Sequence, residues 1–122
     1  MKLLLDTHAF LWLVAGDERL PATARTLIAG AERVVLSAAS VWEAEIKRAA
    51  GRLAVPPVAE AARRADVDVL AITADHAHAA AHLPLHHRDP FDRILVAQAQ
   101  LEGLVLVSKD DAVRRYGVPT AW

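Results

Sequence analysis

The sequence predicts an α/β protein with a central sheet of parallel strands, and three observations lead to this fold class. Short continuous apolar runs such as Leu3-Leu4-Leu5 are typical of strands that are buried on both faces of a sheet. Longer Ala-rich or amphipathic segments separate these runs, so that strands and helices alternate along the chain. A length of 122 residues with 54% hydrophobic content fits one domain with its own core. We therefore expect a single domain over residues 1–122, with right-handed crossovers between its strands.

The strand segments differ in pattern along the chain. The first, second and fourth are uninterrupted apolar runs, whereas the third alternates apolar and polar residues. A short extended stretch is expected near Val118, at the end of the chain. The predicted strands are residues 2–5, 33–36, 67–72 and 104–107.

Glycine and proline residues set most of the predicted helix boundaries. Gly30, Gly51 and Gly103 each follow a helical segment, which is where glycine commonly ends a helix. Pro21 and Pro90 lie in first turns, where a missing N–H costs nothing. The predicted helices are residues 8–14, 21–30, 40–50, 58–65, 74–82, 91–102 and 110–115.

Composition excludes several classes of protein. With 14 basic and 15 acidic residues the net charge is -1, so overall charge does not predict nucleic-acid binding. The absence of cysteine excludes disulfides and thiolate metal sites. The N-terminal apolar run ends at Asp6, which is too early for a signal peptide, and no run is long enough to span a membrane. We expect a cytoplasmic protein.

Four carboxylates lie at or just beyond the ends of apolar segments or at the start of a helix: Asp6, Glu43, Asp92 and Asp110. In a parallel α/β sheet the carboxyl ends of the strands border one crevice, where such folds bind ligands. Acids gathered in a half-buried crevice repel one another strongly. A hard divalent cation relieves this repulsion, and Mg²⁺ or Mn²⁺ prefers oxygen ligands. The four acids are therefore candidate catalytic and metal-binding residues.

Local alternatives exist for the first two acids. Asp6 could simply cap the following helix, and this role is as well supported by the sequence as metal binding. Ser40 and Glu43 have the spacing of a capping box, in which Ser40 begins the helix and Glu43 reaches back to its amide. Thr7 and Ser40 also carry hydroxyl groups near the predicted crevice, and we expect them to contact substrate.

Local alternatives also exist for the second pair of acids. Asp92 lies in a first helical turn, where the helix dipole favours an acid, but Asp89 already suits the capping position. Asp110 and Asp111 compete for the last acidic position, and Asp110 is closer to the strand end. Arg88 and Arg93 flank Asp92 and could hold an RNA backbone beside the acids. His86 and His87, in the loop before them, could also approach a substrate phosphate.

These residues resemble those of the PIN domain family, and in particular the VapC-type toxin ribonucleases of bacterial toxin–antitoxin pairs. The resemblance extends over the whole chain in the same order. The segments that carry it are Leu4-Leu5-Asp6-Thr7-His8, Ser37-Ala38-Ala39-Ser40-Val41-Trp42-Glu43, His86-His87-Arg88-Asp89-Pro90-Phe91-Asp92-Arg93 and Ser108-Lys109-Asp110.

The resemblance implies a three-layer α/β/α sandwich with about four to five parallel strands and Mg²⁺- or Mn²⁺-dependent hydrolysis of RNA. It also implies that Asp6, Glu43, Asp92 and Asp110 form the acidic quartet that holds the metal and activates water, with Thr7 as the small hydroxyl after the first acid. A homodimer is implied, together with a cognate antitoxin whose C-terminal segment covers the active-site groove.

Two other functions remain open from the sequence. An acid directly after a first strand also suits a phosphatase with Asp6 as nucleophile, although His8 then stands where a second acid is expected. The chain could also be a catalytically inactive PIN-like binding module, against which the presence of all four acids argues.

Overall fold

The sheet consists of five strands, as described by a computed structural model of residues 1–122. The strands are β1 (Lys2–Leu5), β2 (Arg33–Ser37), β3 (Asp68–Leu70), β4 (Val105–Val107) and β5 (Thr120–Ala121). Every neighbouring pair is parallel, and the spatial order is β3-β2-β1-β4-β5. The predicted parallel sheet is confirmed, although β3 is shorter than residues 67–72 and β5 begins two residues after Val118.

Seven helices connect and flank the strands. They are α1 (Thr7–Ala15), α2 (Ala22–Ala29), α3 (Ala38–Ala49), α4 (Val58–Arg64), α5 (Ala74–Ala81), α6 (Pro90–Glu102) and α7 (Asp111–Arg114). Gly16 follows α1 with a φ of 64°, a left-handed conformation that glycine adopts without steric cost. No helix in the structure is both long enough and apolar enough to cross a membrane.

The two faces of the sheet are covered by different helices. Leu3 and Leu5 belong to one core with residues of α1 to α4, whereas Leu4 points to the other face and packs with α6 and α7. This alternation is the period of two that a strand imposes on its side chains. Helix α5 packs against α6 on the second side. The predicted α/β/α sandwich is confirmed.

Helix α3 begins earlier than the sequence analysis predicted. Ser37 is its N-cap, and the Ser37 hydroxyl accepts a hydrogen bond from the amide of Ala39 at 3.0 Å. Ser40 therefore lies inside the helix, and the predicted capping box with Glu43 is wrong. Because the strand runs directly into the helix, the first competent hydroxyl, that of Ser37, caps it. Glu43 lies in the second turn and is free of any capping role.

The order of the strands reverses between β1 and β4. From β1 the chain builds β2 and β3 on one side, and then crosses to build β4 and β5 on the other. The amide of Asp6 donates to the carbonyl of Val107 at 3.1 Å, which joins the carboxyl ends of the two central strands. A crevice forms outside such a reversal because the two flanking connections leave in opposite directions.

Candidate active site

A cavity of about 330 Å³ lies at the carboxyl ends of β1 and β4. All four predicted acids line it, although they come from four separate parts of the chain. The lining is mostly polar, and consists of Asp6, Thr7, His8, Trp12, Glu43, Asp89, Asp92, Lys109, Asp110 and Trp122. A larger depression of about 620 Å³ at the amino ends of β2 and β3 is lined by three acids, but Arg25 and Arg33 lie among them.

Asp6 both caps a helix and faces the cavity. Its Oδ1 accepts a hydrogen bond of 2.7 Å from the amide of Ala9, which fixes the carboxylate at the start of α1. Burial raises the pKa of Asp6 above 3.8, although the Ala9 and Ser108 hydrogen bonds and the nearby His8 act in the opposite direction. Asp110 adds repulsion that also raises the pKa. Asp6 can therefore cap α1 and bind a metal in the cavity at the same time.

Asp92 is free to face the cavity because Asp89 supplies the cap of α6. The Asp89 carboxylate accepts from the amide of Phe91 at 2.8 Å, as the sequence predicted, and Pro90 occupies the first turn. Burial raises the pKa of Asp92 to about 7, and repulsion from Asp89 contributes as well. A site that makes ionisation this unfavourable suits a positive ligand.

Of the two adjacent acids after β4, only the first lines the cavity. Asp110 is the N-cap of α7, where its Oδ1 accepts from the amide of Ala112 at 2.9 Å, and it lines the cavity. Asp111 is exposed and lies outside the cavity lining.

Glu43, the remaining acid of the cavity, is half-buried, and its carboxylate makes no hydrogen bond or ion pair within the protein.

The two hydroxyl residues have different positions. Thr7 is buried at the floor of the cavity, and its Oγ1 donates to Oγ of Ser40 at 2.9 Å. Ser40 lies behind Thr7 and does not line the cavity, so the expected contact of Ser40 with substrate finds no support in this geometry.

The two arginines also differ. Arg88 is exposed, near the acids but outside the cavity lining. Arg93 does not line the cavity, and both terminal nitrogens of its guanidinium are engaged within the protein, so the expected contact of Arg93 with substrate finds no support in this geometry. It donates to the carbonyls of Ala80, Leu83, Pro84 and His87, at 2.8 to 3.2 Å.

Three residues of the cavity were not identified from the sequence: His8, Lys109 and Trp122. All three lie around the ring of Trp12. Nζ of Lys109 is 4.9 Å from the Trp12 ring centroid, and the ring centroids of His8 and Trp122 are 5.6 Å and 5.7 Å from it. His8 and Lys109 are close neighbours of Asp6 and Asp110 in sequence, and that proximity was an available signal. Trp122 carried no such signal.

The donor set fits a hard divalent cation. Oxygen ligands from Asp6, Glu43, Asp92 and Asp110 surround one cavity, and burial together with repulsion from neighbouring acids raises the pKa of Asp92. Ligand atoms of His87, Asp92 and Asp110 also lie within 4.8 Å of one another, so a nitrogen donor is close to the same place.

Comparison with known proteins places this geometry in a family. The model of the PIN domain matches residues 3–119. The chain belongs to the PIN domain family. One PIN relative, Ribonuclease VapC22 of Mycobacterium tuberculosis (strain ATCC 25618 / H37Rv), is 34% identical over 128 aligned positions, which cover 98% of this chain and 97% of the relative. The family predicted from the sequence motifs is confirmed.

Solved structures confirm the PIN fold. A toxin–antitoxin complex from Klebsiella pneumoniae aligns with a TM-score of 0.66 at 19% identity, covering 89% of this chain and 87% of the other. VapBC2 from Rickettsia felis, bound to a promoter DNA fragment, gives 0.71 at 10% identity, with 99% and 98% covered. The sarcin-ricin loop cleaving toxin VapC20 of Mycobacterium tuberculosis gives 0.70 at 22% identity, with 96% of each chain covered.

Proposed function

We propose that this PIN domain protein is a metal-dependent endoribonuclease, the toxin of a toxin–antitoxin pair, and that it acts in the cytoplasm as a single domain over residues 1–122. One observation carries the proposal: four carboxylates from separate segments converge on one cavity, in a chain 34% identical to a ribonuclease. Family membership favours this activity over a phosphatase, and the complete set of acids favours it over an inactive binding module.

Asp6, Glu43, Asp92 and Asp110 are the residues that would hold Mg²⁺ or Mn²⁺. A divalent ion bound among these acids supplies an activated water and offsets charge on the phosphodiester. Asp6 and Asp110 are oriented by the amides that they cap, so their carboxylates need little reorganisation. Glu43 lacks a competing partner within the protein, so its carboxylate would be free to orient the attacking water or to accept its proton.

RNA would approach past Lys109, whose ammonium lies over the buried ring of Trp12, with Arg88 nearby. Lys109 is exposed and positively charged beside the acids, so its ammonium can contact a phosphate of the backbone. Arg88 has no partner within the protein and is free to make a second contact of this kind. Thr7 lies at the cavity floor, where its side chain can contact the substrate.

The test is cleavage of a mixed-sequence RNA by the purified protein, with Mn²⁺ or Mg²⁺ and with EDTA. We expect cleavage that EDTA abolishes, and we expect Asp6→Asn to lose it while retaining the circular dichroism of the folded protein. Asp111→Asn is the matched control, because Asp111 is exposed, lies outside the cavity and is adjacent to a site acid. A folded Asp6→Asn protein with wild-type activity, or cleavage that persists in EDTA, would refute the proposal.

We also propose a homodimer and a cognate antitoxin whose terminal segment covers the acidic cavity with an Arg or Lys. Two of the structural relatives are toxin–antitoxin assemblies, which supports such a partner. Trp42 is 64% exposed and Ile46 is 44% exposed on the same helix, α3, which leaves apolar surface for a protein contact. Light scattering of the purified chain tests the dimer, and co-purification with the product of the neighbouring reading frame tests the antitoxin.

A further inference from the structure

His87 lies between two of the acids that line the cavity. Its Nε2 is 2.8 Å from Oδ2 of Asp110 and 3.1 Å from Oδ2 of Asp92. These acids belong to different elements, since Asp92 is in α6 and Asp110 caps α7. The distances alone allow two roles for His87: an N–H donor shared by both carboxylates, or a nitrogen ligand of the same metal ion.

The second ring nitrogen distinguishes these roles. The amide of Asp89 donates to Nδ1 of His87 at 3.1 Å. A nitrogen that accepts an N–H carries no proton, so the ring proton is on Nε2, where it is donated to Oδ2 of Asp110. Metal-binding histidines show the reverse arrangement, in which the other ring nitrogen donates to a carbonyl or carboxylate.

We propose that His87 is a positioning residue, which holds Asp110 beside Asp92 through its Nε2–H and is not a ligand of the metal. This inference rests on the proposed metal-dependent function and specifies how the site is organised. The N–H donated to Asp110, with the Asp92 oxygen 3.1 Å from the same nitrogen, stabilises a close approach of the two carboxylates in the metal-free protein. Both oxygens of Asp110 are then held in place, Oδ2 by His87 and Oδ1 by the amide of Ala112, whereas Oδ1 of Asp92 accepts no hydrogen bond within the protein.

The loop that carries His87 is itself held by the protein. The amide of His87 donates to the hydroxyl of Tyr116 at 2.9 Å, and that hydroxyl donates to the carbonyl of Pro84 at 2.7 Å. The guanidinium of Arg93 donates to the carbonyl of His87 at 3.2 Å. These contacts fix the backbone of the loop next to the acids. The imidazole of His87 therefore faces the acids before any ion binds.

The experiment compares His87→Gln with His87→Asn. Glutamine places an N–H donor at the position of Nε2 but loses the acceptor for the amide of Asp89. Asparagine keeps a polar atom near Nδ1 for that amide but cannot reach the carboxylates. Isothermal titration with Mn²⁺ is the readout. We expect the Gln variant to bind within about 3-fold of wild type and the Asn variant to lose about 10- to 100-fold in affinity, the range typical of residues that orient metal ligands.

Each result decides the question. Equal binding by the Asn variant and wild type, or better binding by Asn than by Gln, would overturn the positioning role, because the loop contact would then matter more than the donor. His78→Asn, on the exposed face of α5, is the control for a histidine substitution as such. Thermal unfolding of each variant shows whether it is folded under the conditions of the titration.

Nitrogen-15 NMR of the wild-type protein tests the same proposal without a variant. We expect the ring proton of His87 on Nε2 and none on Nδ1, and a proton on Nδ1 would overturn the proposal. The titration with Mn²⁺ distinguishes failure of the proposed function from failure of this inference alone. If the wild type does not bind Mn²⁺, the metal-dependent function and this inference both fall, whereas wild-type binding that the Asn variant matches removes only the role of His87.

Discussion

Replacing Asp92 with Asn is expected to stabilise the metal-free protein while it removes a metal ligand. Burial and the neighbouring acids raise the pKa of Asp92 to about 7, from 3.8 for an ordinary aspartate. The folded protein therefore holds this proton more tightly than the unfolded chain does. Stability falls as the pH rises from about 4 to about 7, since folding then requires either a bound proton or an unfavourable charge.

The size of the effect follows from the pKa. A change from 3.8 to about 7 corresponds to about 4 kcal/mol at about 1.4 kcal/mol per pKa unit, which is an upper bound. The side chain of Asp92 is 27% exposed, so solvent screens part of this cost. The substitution also removes the favourable interaction of an acid with the dipole of α6, and this loss reduces the gain by about 0.5 kcal/mol. We expect a net gain of about 1 kcal/mol in the free energy of unfolding at about pH 8.

The assay is urea unfolding of wild type and Asp92→Asn in EDTA at about pH 8 and about pH 4. The asparagine has nearly the same shape as the aspartate, so its side chain can keep the place beside Nε2 of His87. The gain should be present at the higher pH and nearly absent at the lower one. Equal stability at both values of pH, or destabilisation at the higher pH, would refute the electrostatic argument. Addition of Mn²⁺ should then raise the melting temperature of wild type only.

Three further substitutions separate structural from functional roles. Arg93→Met should lower the free energy of unfolding by about 2 to 3 kcal/mol in urea titrations, because several carbonyls lose their donor, and a loss below about 0.5 kcal/mol would contradict this. Lys109→Ala should weaken the binding of single-stranded RNA and lower its salt dependence by about 0.7 in a log–log plot with Mn²⁺ affinity unchanged, whereas an unchanged salt dependence would exclude a phosphate contact. Ser40→Ala should cost about 1 kcal/mol of stability through the lost Thr7 bond and leave RNA cleavage near wild type; a large loss of cleavage with little loss of stability would show a direct role for Ser40.

The positions of the acids were predictable from the sequence because they follow from topology. Asp6 comes directly after β1 and Asp110 closely after β4, and neighbouring parallel strands bring their carboxyl ends together. Asp92 was predictable because Asp89 occupied the capping position and left the second acid without a local role. These inferences need only the strand pattern and the chemistry of helix ends.

Other features depend on contacts that no local pattern encodes. Ser37 and Ser40 are equally good caps by composition, and only the direct passage from strand to helix selects Ser37. Arg93 looked like a phosphate contact, but the loop before α6 folds its carbonyls around the guanidinium. The role of His87 depends on one distance, from the amide of Asp89 to Nδ1, which follows from the turn that these residues form.

The most direct test of the acidic metal centre is anomalous diffraction at the manganese edge from crystals of the wild-type protein that contain Mn²⁺. We predict a peak in the cavity at the carboxyl ends of β1 and β4, bonded to carboxylate oxygens of the quartet that includes Asp6 and Asp92. A fully occupied manganese elsewhere on the protein, with no peak among these acids, would contradict the account.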